Sequence, residues 1–420
     1  MQPLYIILGS NFFGLLIGGL FFLSAGWIFD LNEMGVYGLA ASIQVIAVGF
    51  VGNGIGVATV RLASDYLTEG DYADAAGIVA YSFMIPAALS VLTAGICFVI
   101  FKNPSESVLL NRGLLVPLVL WAGAASMLAC LRSGLLAQRQ YKMAGMLTIM
   151  SGVTGLISLS VVLLIAPLTV SRLLMAHMFG LGTSALLGLC FLKPLCREGI
   201  TFSINLFLKL WRYARWPALS EGIRLFQANM GPLLLAAVAG SDQVGLFSLA
   251  RYPALLFGMI AVSLYQYWLP EVTREKGADN LIRFLRRQMR LAGLAGACML
   301  IGAVVFRPIL PFLGTNFAAA APLFILSTLD FVLFLLVRPI ESVYHGLHKP
   351  QLELVLRVVR MPVLVGLGLI LSSHYGAVGM VWANVLSGFS VMGIAIWLLC
   401  KYLGSCPYIW NIWKEKKSVL

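Results

Sequence analysis

Five arginines, at positions 224, 251, 338, 357 and 360, sit inside long apolar runs, and all fall in the second half of the chain. A cation at the centre of a membrane helix costs about 3 kcal/mol on insertion scales, so each needs a partner, a route to the interface or a task. Helix-neighbour spacing offers partners to three. Glu221 lies three residues before Arg224, Glu341 three after Arg338, and Glu353 four before Arg357. These read as self-neutralising pairs or as part of a binding surface, and Arg338 and Arg357 are also close enough to span ends to snorkel. Arg251 and Arg360 have no acid within four residues. A guanidinium in a solvated cavity suits an anion, and its planar fork matches phosphate oxygens. Arg251, with Arg224, Arg360 and Arg338, is therefore the candidate cationic site; the competing reading pairs Arg251 with a distant acid such as Asp330. Pro253 follows it, freeing a carbonyl and allowing a bend. Asp330 and Glu341 share one face of a helix and are candidate coupling acids for protons or cations. Tyr252 and Tyr265 are candidate sugar contacts, as is Tyr267, whereas an interfacial aromatic belt accounts equally well for Trp27 and Trp268.

The elements that must position these groups follow from composition. Hydrophobic residues make up 60% of the 420 positions and charged residues 11%, against about 25% charged in soluble domains. Apolar runs of about 20 residues, enough to cross a core of about 30 Å, recur along the chain. The expected spans are 4–29, 34–60, 77–101, 110–135, 143–165, 170–192, 216–239, 245–269, 291–313, 320–345, 353–372 and 376–400, twelve helices in an all-α polytopic membrane protein. The first run is too long for a signal-peptide core and lacks a basic start, so it reads as a span. The 42 glycines lie mostly inside these runs, as expected where membrane helices approach closely.

Several classes of function are disfavoured. The seven cysteines show no CxxC spacing and read as small apolar residues, with neither a disulfide framework nor a metal site. There is no GxxxxGK[ST] loop, hence no ATP engine within the chain, and no cofactor is expected. The net charge of +12 is a topology signal, not a nucleic-acid footprint. Basic residues crowd the even-numbered loops and the tail (Arg132, Arg139 and Lys142; Lys209, Arg212 and Arg215; Arg283, Arg286, Arg287 and Arg290; Lys414, Lys416 and Lys417), whereas Lys102, Arg112, Arg172 and Arg307 fall in odd-numbered loops. That bias places the even loops and both termini in the cytoplasm. The segment 274–290 has helically spaced arginines and reads as a surface helix at an anionic leaflet.

The chain also repeats itself. "LNEMGVYGLA" at 31–40 returns as "SDQVGLFSLA" at 241–250, and "LRSGLLAQRQYKMA" at 131–144 resembles "VRPIESVYHGLHKPQL" at 337–352. Six helices per half put both copies on the same face, which predicts two lobes related by a pseudo-twofold axis along the membrane normal. The expected organisation is an N-terminal lobe (1–192), a cytoplasmic linker (193–215), a C-terminal lobe (216–402) and a basic cytoplasmic tail (403–420). Arg251 breaks the repeat, since its counterpart is Ala41.

The G-[VL]-[YF]-x-L-A turn and its copy, "LPEVTR" at 269–274 and "YGAVGMVWANVLSG" at 375–388 resemble the polysaccharide flippases of the multidrug/oligosaccharidyl-lipid/polysaccharide (MOP) superfamily. Twelve helices resemble the O-antigen and exopolysaccharide repeat-unit (Wzx-type) branch; lipid II flippases typically carry two more. The resemblance implies two six-helix lobes around a cavity lined by helices one, two, seven and eight, and Arg251 resembles the helix-eight arginine that faces the cavity of lipid II flippases. It also implies a substrate, undecaprenyl-pyrophosphate-linked oligosaccharide, carried from inner to outer leaflet of the bacterial cytoplasmic membrane by alternating access. Implied partners are that lipid-linked oligosaccharide, membrane lipids, a polysaccharide polymerase and a chain-length regulator; no nucleic acid is expected, the protein is read as a monomer, and no catalytic step is required of it. The rival within the superfamily is a cation-coupled multidrug exporter, whose pocket should be acidic. A membrane glycosyltransferase or polysaccharide polymerase is a more distant rival, lacking here the large loops it would need.

Overall fold

The computed structural model describes residues 2–100, 112–192, 199–272, 278–347, 349 and 351–403. The sequence-predicted outer loop with Lys102, the linker residues 193–198, Arg274 and Lys276, and the basic tail beyond Leu403 lie outside them. The described elements are helical throughout, with no strand among the described residues.

The chain forms two compact units, Met1–Leu233 and Leu234–Leu420. In the first, α1 (Gln2–Ile28), α2 (Leu31–Val48), a π-helical segment (Gly49–Asn53) and α3 (Gly54–Glu69) lead into α4 (Tyr72–Ile100), α5 (Arg112–Ala137), α6 (Tyr141–Ile165), α7 (Val170–Phe191) and α8 (Ile204–Ala228). The first repeat phrase opens α2, where Asp30 caps the helix by accepting from the Glu33 N–H at 2.7 Å. α5 packs on α3, α4 and α7, and α1 packs on α6. α8, which the sequence reading splits between linker and second lobe, lies against α3 and the π-helical segment. His177 of α7 stacks on Phe21 and Trp121, with Tyr37 Oη 2.9 Å from its Nε2. That arrangement ties the repeat-phrase tyrosine into the core.

After α9 (Met230–Val238), the second unit contains α10 (Ser241–Val272), α11 (Ala278–Phe306), a 3₁₀ segment (Arg307–Leu313), α12 (Thr315–Gly346) and α13 (Gln351–Leu403). The second repeat phrase opens α10. α12 is the axis of this unit, touching α10, α11, α13 and the 3₁₀ segment, and that is why its polar residues Ser327, Thr328 and Asp330 are buried. The basic stretch expected as a separate surface helix is the first part of α11, continuous with the apolar run that follows.

Among the described residues nine helices are long and apolar enough to cross a membrane, so this is a multi-pass membrane protein. Three local features separate that number from the expected twelve. The runs 353–372 and 376–400 are the two arms of α13, which is counted once although it turns at Gly376, and the first run contributes a shorter apolar stretch, Phe12–Ile28. The run 216–239 is divided at Asn229 into α8 and α9, with Arg224 and Glu221 adding charge. Large apolar side chains such as Val99, Leu164 and Ile165 point outward, as lipid-facing surfaces require. Trp27 is exposed in keeping with a belt, whereas Trp268 is fully buried and is not part of one.

Close helix contact carries the first expected effect. A Cβ added at Gly54 would lie 2.1 Å from the Ala218 Cα, so α3 and α8 must separate to accept it. Gly54→Ala should destabilise the protein by about 2–3 kcal/mol or prevent insertion. Gly366→Ala, at a helical site with nothing within 4 Å, should be neutral or stabilising by up to about 1 kcal/mol. Thermal unfolding of the two purified variants in one detergent measures the difference; equal midpoints would contradict the packing.

Candidate functional site

Three side chains from three helices of the second unit meet at Asp330. Arg251 (α10) donates from Nη1 to Asp330 Oδ2 (α12) at 3.4 Å, and Arg360 (α13) donates from Nη2 to Asp330 Oδ1 at 3.1 Å. The pairing of Arg251 with Asp330, set out above as the competing reading, is thus present, and Arg360 joins it. The aspartate side chain is 7% exposed and the two arginines 18% and 21%. Two guanidiniums and one carboxylate leave these three groups with a net charge of +1. The Arg360 Nε also donates to Ser387 Oγ at 3.4 Å, and the Arg251 guanidinium lies over the Phe331 ring at 5.3 Å.

The local chain geometry builds this cluster. α13 is not straight: Gly376 has φ 54° and ψ −132°, a conformation glycine adopts without penalty. In a straight helix the 27 residues between Arg360 and Ser387 would span about 40 Å, yet the two side chains are in hydrogen-bond contact. The arms before and after Gly376 therefore fold back on each other. The turn is held by Gln243, in the second repeat phrase, whose Oε1 accepts from the Ala377 N–H at 2.9 Å. Both arginines precede a proline by two residues, Arg251 before Pro253 and Arg360 before Pro362. Each proline withholds an N–H from the preceding turn, which leaves backbone polarity beside the charges.

The other predicted site residues lie elsewhere. Arg338 donates to Glu341 Oε2 at 2.6 Å and lies 4.0 Å from Glu353, which is paired with Arg357. Tyr265 donates to Glu353 Oε2 at 3.5 Å, and its ring lies 4.5 Å below the Arg338 guanidinium. Two arginines and two glutamates sum to zero, so this cluster is internally neutral. Glu341 and Asp330, although on one helix, therefore serve different clusters. Arg224 pairs with Glu221 at 2.7 Å in the first unit. Tyr252 is partly buried beside Arg251, and the side chain of Tyr267 lies outside the described residues.

The Arg338 group sets two guanidiniums against two carboxylates, whereas the three groups at Asp330 hold two guanidiniums and one carboxylate. Comparison with solved structures bears on the scaffold. A multidrug resistance MATE family transporter of the MOP superfamily, inward-facing, matches with TM-score 0.73 at 14% identity over 97% of this chain and 96% of its own. The lipid II flippase MurJ, in an inward closed conformation, matches with TM-score 0.74 at 16% identity, covering 96% of this chain and 88% of its own. This chain shares the fold of these two proteins. A MOP superfamily transporter from Pyrococcus furiosus, described as having a binding pocket of reversed polarity that suggests a different function, matches with TM-score 0.63 at 14% identity over 96% of each chain. No family model matches the sequence, and neither does any curated relative.

Within this fold, the sequence named Arg251, Asp330 and Arg360 but did not join the three. The residues it missed, Ser387 and Gln243, carry no charge; the reversal between the runs 353–372 and 376–400 was expected, but the contacts it gives these two residues leave no local signal. The pairs Glu221/Arg224, Arg338/Glu341 and Glu353/Arg357 were legible because a single helix fixes their geometry.

Proposed function

We propose that this chain is a flippase that carries undecaprenyl-pyrophosphate-linked oligosaccharide repeat units from the cytoplasmic to the outer leaflet for surface polysaccharide assembly, working by alternating access. The observation that carries the reading is the Arg251–Asp330–Arg360 cluster: net positive, mostly buried, and made from three helices. Its spare positive charge suits a pyrophosphate, since guanidinium forks bind phosphate oxygens through paired charge-assisted hydrogen bonds. The likeness to a lipid II flippase supports a lipid-linked cargo. In the proposed topology, twelve spans form two lobes with both termini cytoplasmic, following the charge bias of the loops. Membrane potential then favours the outward step, by about 2.3 kcal/mol per negative charge per 100 mV. The proposed working partners are a polysaccharide polymerase and a chain-length regulator.

A second reading, a cation-coupled multidrug exporter, is favoured by Asp330, a buried acid at the centre of the cluster, and by the MATE likeness. The deciding experiment expresses the chain in bacteria lacking their own repeat-unit flippase. Restored surface polysaccharide without added drug resistance is the expected outcome. Drug resistance without surface polysaccharide would replace the flippase reading with the exporter.

A further inference from the structure

The "LRSGLLAQRQYKMA" motif, which the cluster at Asp330 does not use, ends α5, turns and starts α6. At that turn Arg139 has φ 58°, the one non-glycine residue with positive φ among the described residues. The turn closes α5 through Arg139 N–H to Leu136 O and Gln140 N–H to Leu135 O, each 2.9 Å. This is a helix C-cap in which the left-handed position normally falls to glycine. A side chain with a Cβ is strained there, and glycine would hold the same turn more easily. Strain of this kind marks places where the side chain itself has a use.

The use is suggested by what the turn faces. A cavity of about 540 Å³ opens between the ends of α3 and α5 and the starts of α4 and α6, with Arg139 in its wall. That size is within the range of small-molecule sites, about 300–1,000 Å³. Tyr72 and Tyr141 supply aromatic faces, and Gln138 and Gln140 supply amides already tied together, Gln140 Nε2 donating to Gln138 Oε1 at 3.1 Å. Ser64 and Thr68 add hydroxyls, and no carboxylate is among the described residues that line the cavity. One cation, two aromatic faces, amides and hydroxyls form the combination that stacks a sugar ring, bonds its hydroxyls and neutralises one acidic substituent.

We propose that this cavity is a binding site for an acidic saccharide, with Arg139 on the acidic group and Tyr72 and Tyr141 against the ring. It lies in the first unit, at a loop the charge bias assigns to the cytoplasm, and its assignment does not depend on the flippase reading. The ligand is either a soluble sugar phosphate or the headgroup of a lipid-linked sugar, which present the same chemistry.

The test uses the full-length protein in detergent, with glucose 1-phosphate, glucose and inorganic phosphate as probes in calorimetric titrations. Glucose 1-phosphate should bind at least tenfold more tightly than either of the others. Arg139→Gly should weaken it at least tenfold while leaving the unfolding temperature equal or higher, since glycine relaxes the turn; Arg139→Lys should retain part of the affinity. Tyr72→Ala should weaken glucose 1-phosphate but not phosphate. An Arg139-dependent affinity for undecaprenyl-pyrophosphate-linked glucose, lost in Arg139→Gly and tighter than that for glucose 1-phosphate, identifies the lipid headgroup as the source, and equal Arg139-dependent affinities identify the soluble sugar. Unchanged affinity in Arg139→Gly, or phosphate binding as tightly as glucose 1-phosphate, overturns the proposal.

Discussion

Replacing Arg251 with alanine is expected to cut surface polysaccharide export by about 10- to 140-fold per inserted molecule. The figure follows from the about 1.5–3 kcal/mol that hydrogen bonds to charged groups contribute, at tenfold per 1.4 kcal/mol. The cluster geometry explains why the loss should fall on transport and not on folding. Without Arg251, Asp330 still faces Arg360 at 3.1 Å, so no buried carboxylate is orphaned. What disappears is the spare positive charge, because one arginine and one aspartate sum to zero. Arg360→Ala should behave alike for the same reason, leaving Asp330 with Arg251. Arg251→Lys keeps the charge but not the planar fork, and should recover part of the activity. Arg338→Ala is the contrast: it strips Glu341 of its 2.6 Å partner in an internally neutral cluster, and removing one member of a buried pair costs about 3–5 kcal/mol. Its expected signature is low protein abundance. Surface polysaccharide and membrane levels, measured together in cells lacking the native flippase, separate the two. Full export by Arg251→Ala would remove Arg251 from the binding site.

The sequence showed what is local. Apolar runs marked the helices, although the reading of 34–60 as one span did not show the π-helical turn at Gly49–Asn53 or the continuation to Glu69. A shift from α to π hydrogen bonding leaves no periodic trace, and Gly49, Gly52 and Gly54 read there as ordinary helix-packing glycines. The intrahelical ion pairs were visible because three- and four-residue spacing fixes them. The Asp330 cluster was half visible: both arginines stood out by lacking a near acid, but their shared partner lies 79 and 30 residues away. Only the fold-back of α13 at Gly376 makes Arg360 a neighbour of Asp330. Arg139 was hidden for a different reason, since a left-handed turn is normally announced by glycine and here is not.

Asp330→Asn is expected to have opposite consequences under the two functional readings, and that makes it the sharpest test of the site. Neutralising Asp330 raises the charge of the three-residue cluster from +1 to +2. For an anionic cargo the extra charge is attractive. At an effective dielectric constant of about 20 and a separation of about 8 Å it contributes up to about 2 kcal/mol. Inorganic pyrophosphate should therefore bind the purified variant about 5- to 30-fold more tightly. The asparagine retains an oxygen that can accept from one arginine, and the two guanidiniums, 18% and 21% exposed, can be screened by solvent. The protein should thus still insert, at a reduced level. Export per inserted molecule should fall only a few fold, limited by slower release of the more tightly held headgroup. For a cation-coupled exporter the same change removes the acid that would carry the coupling ion, and transport should stop. Pyrophosphate affinity and per-molecule export therefore decide between the readings together. Tighter binding with export retained makes Asp330 a charge-tuning partner of two anion-binding arginines. Unchanged pyrophosphate affinity with transport abolished at normal membrane levels would make Asp330 the coupling acid and overturn the flippase assignment.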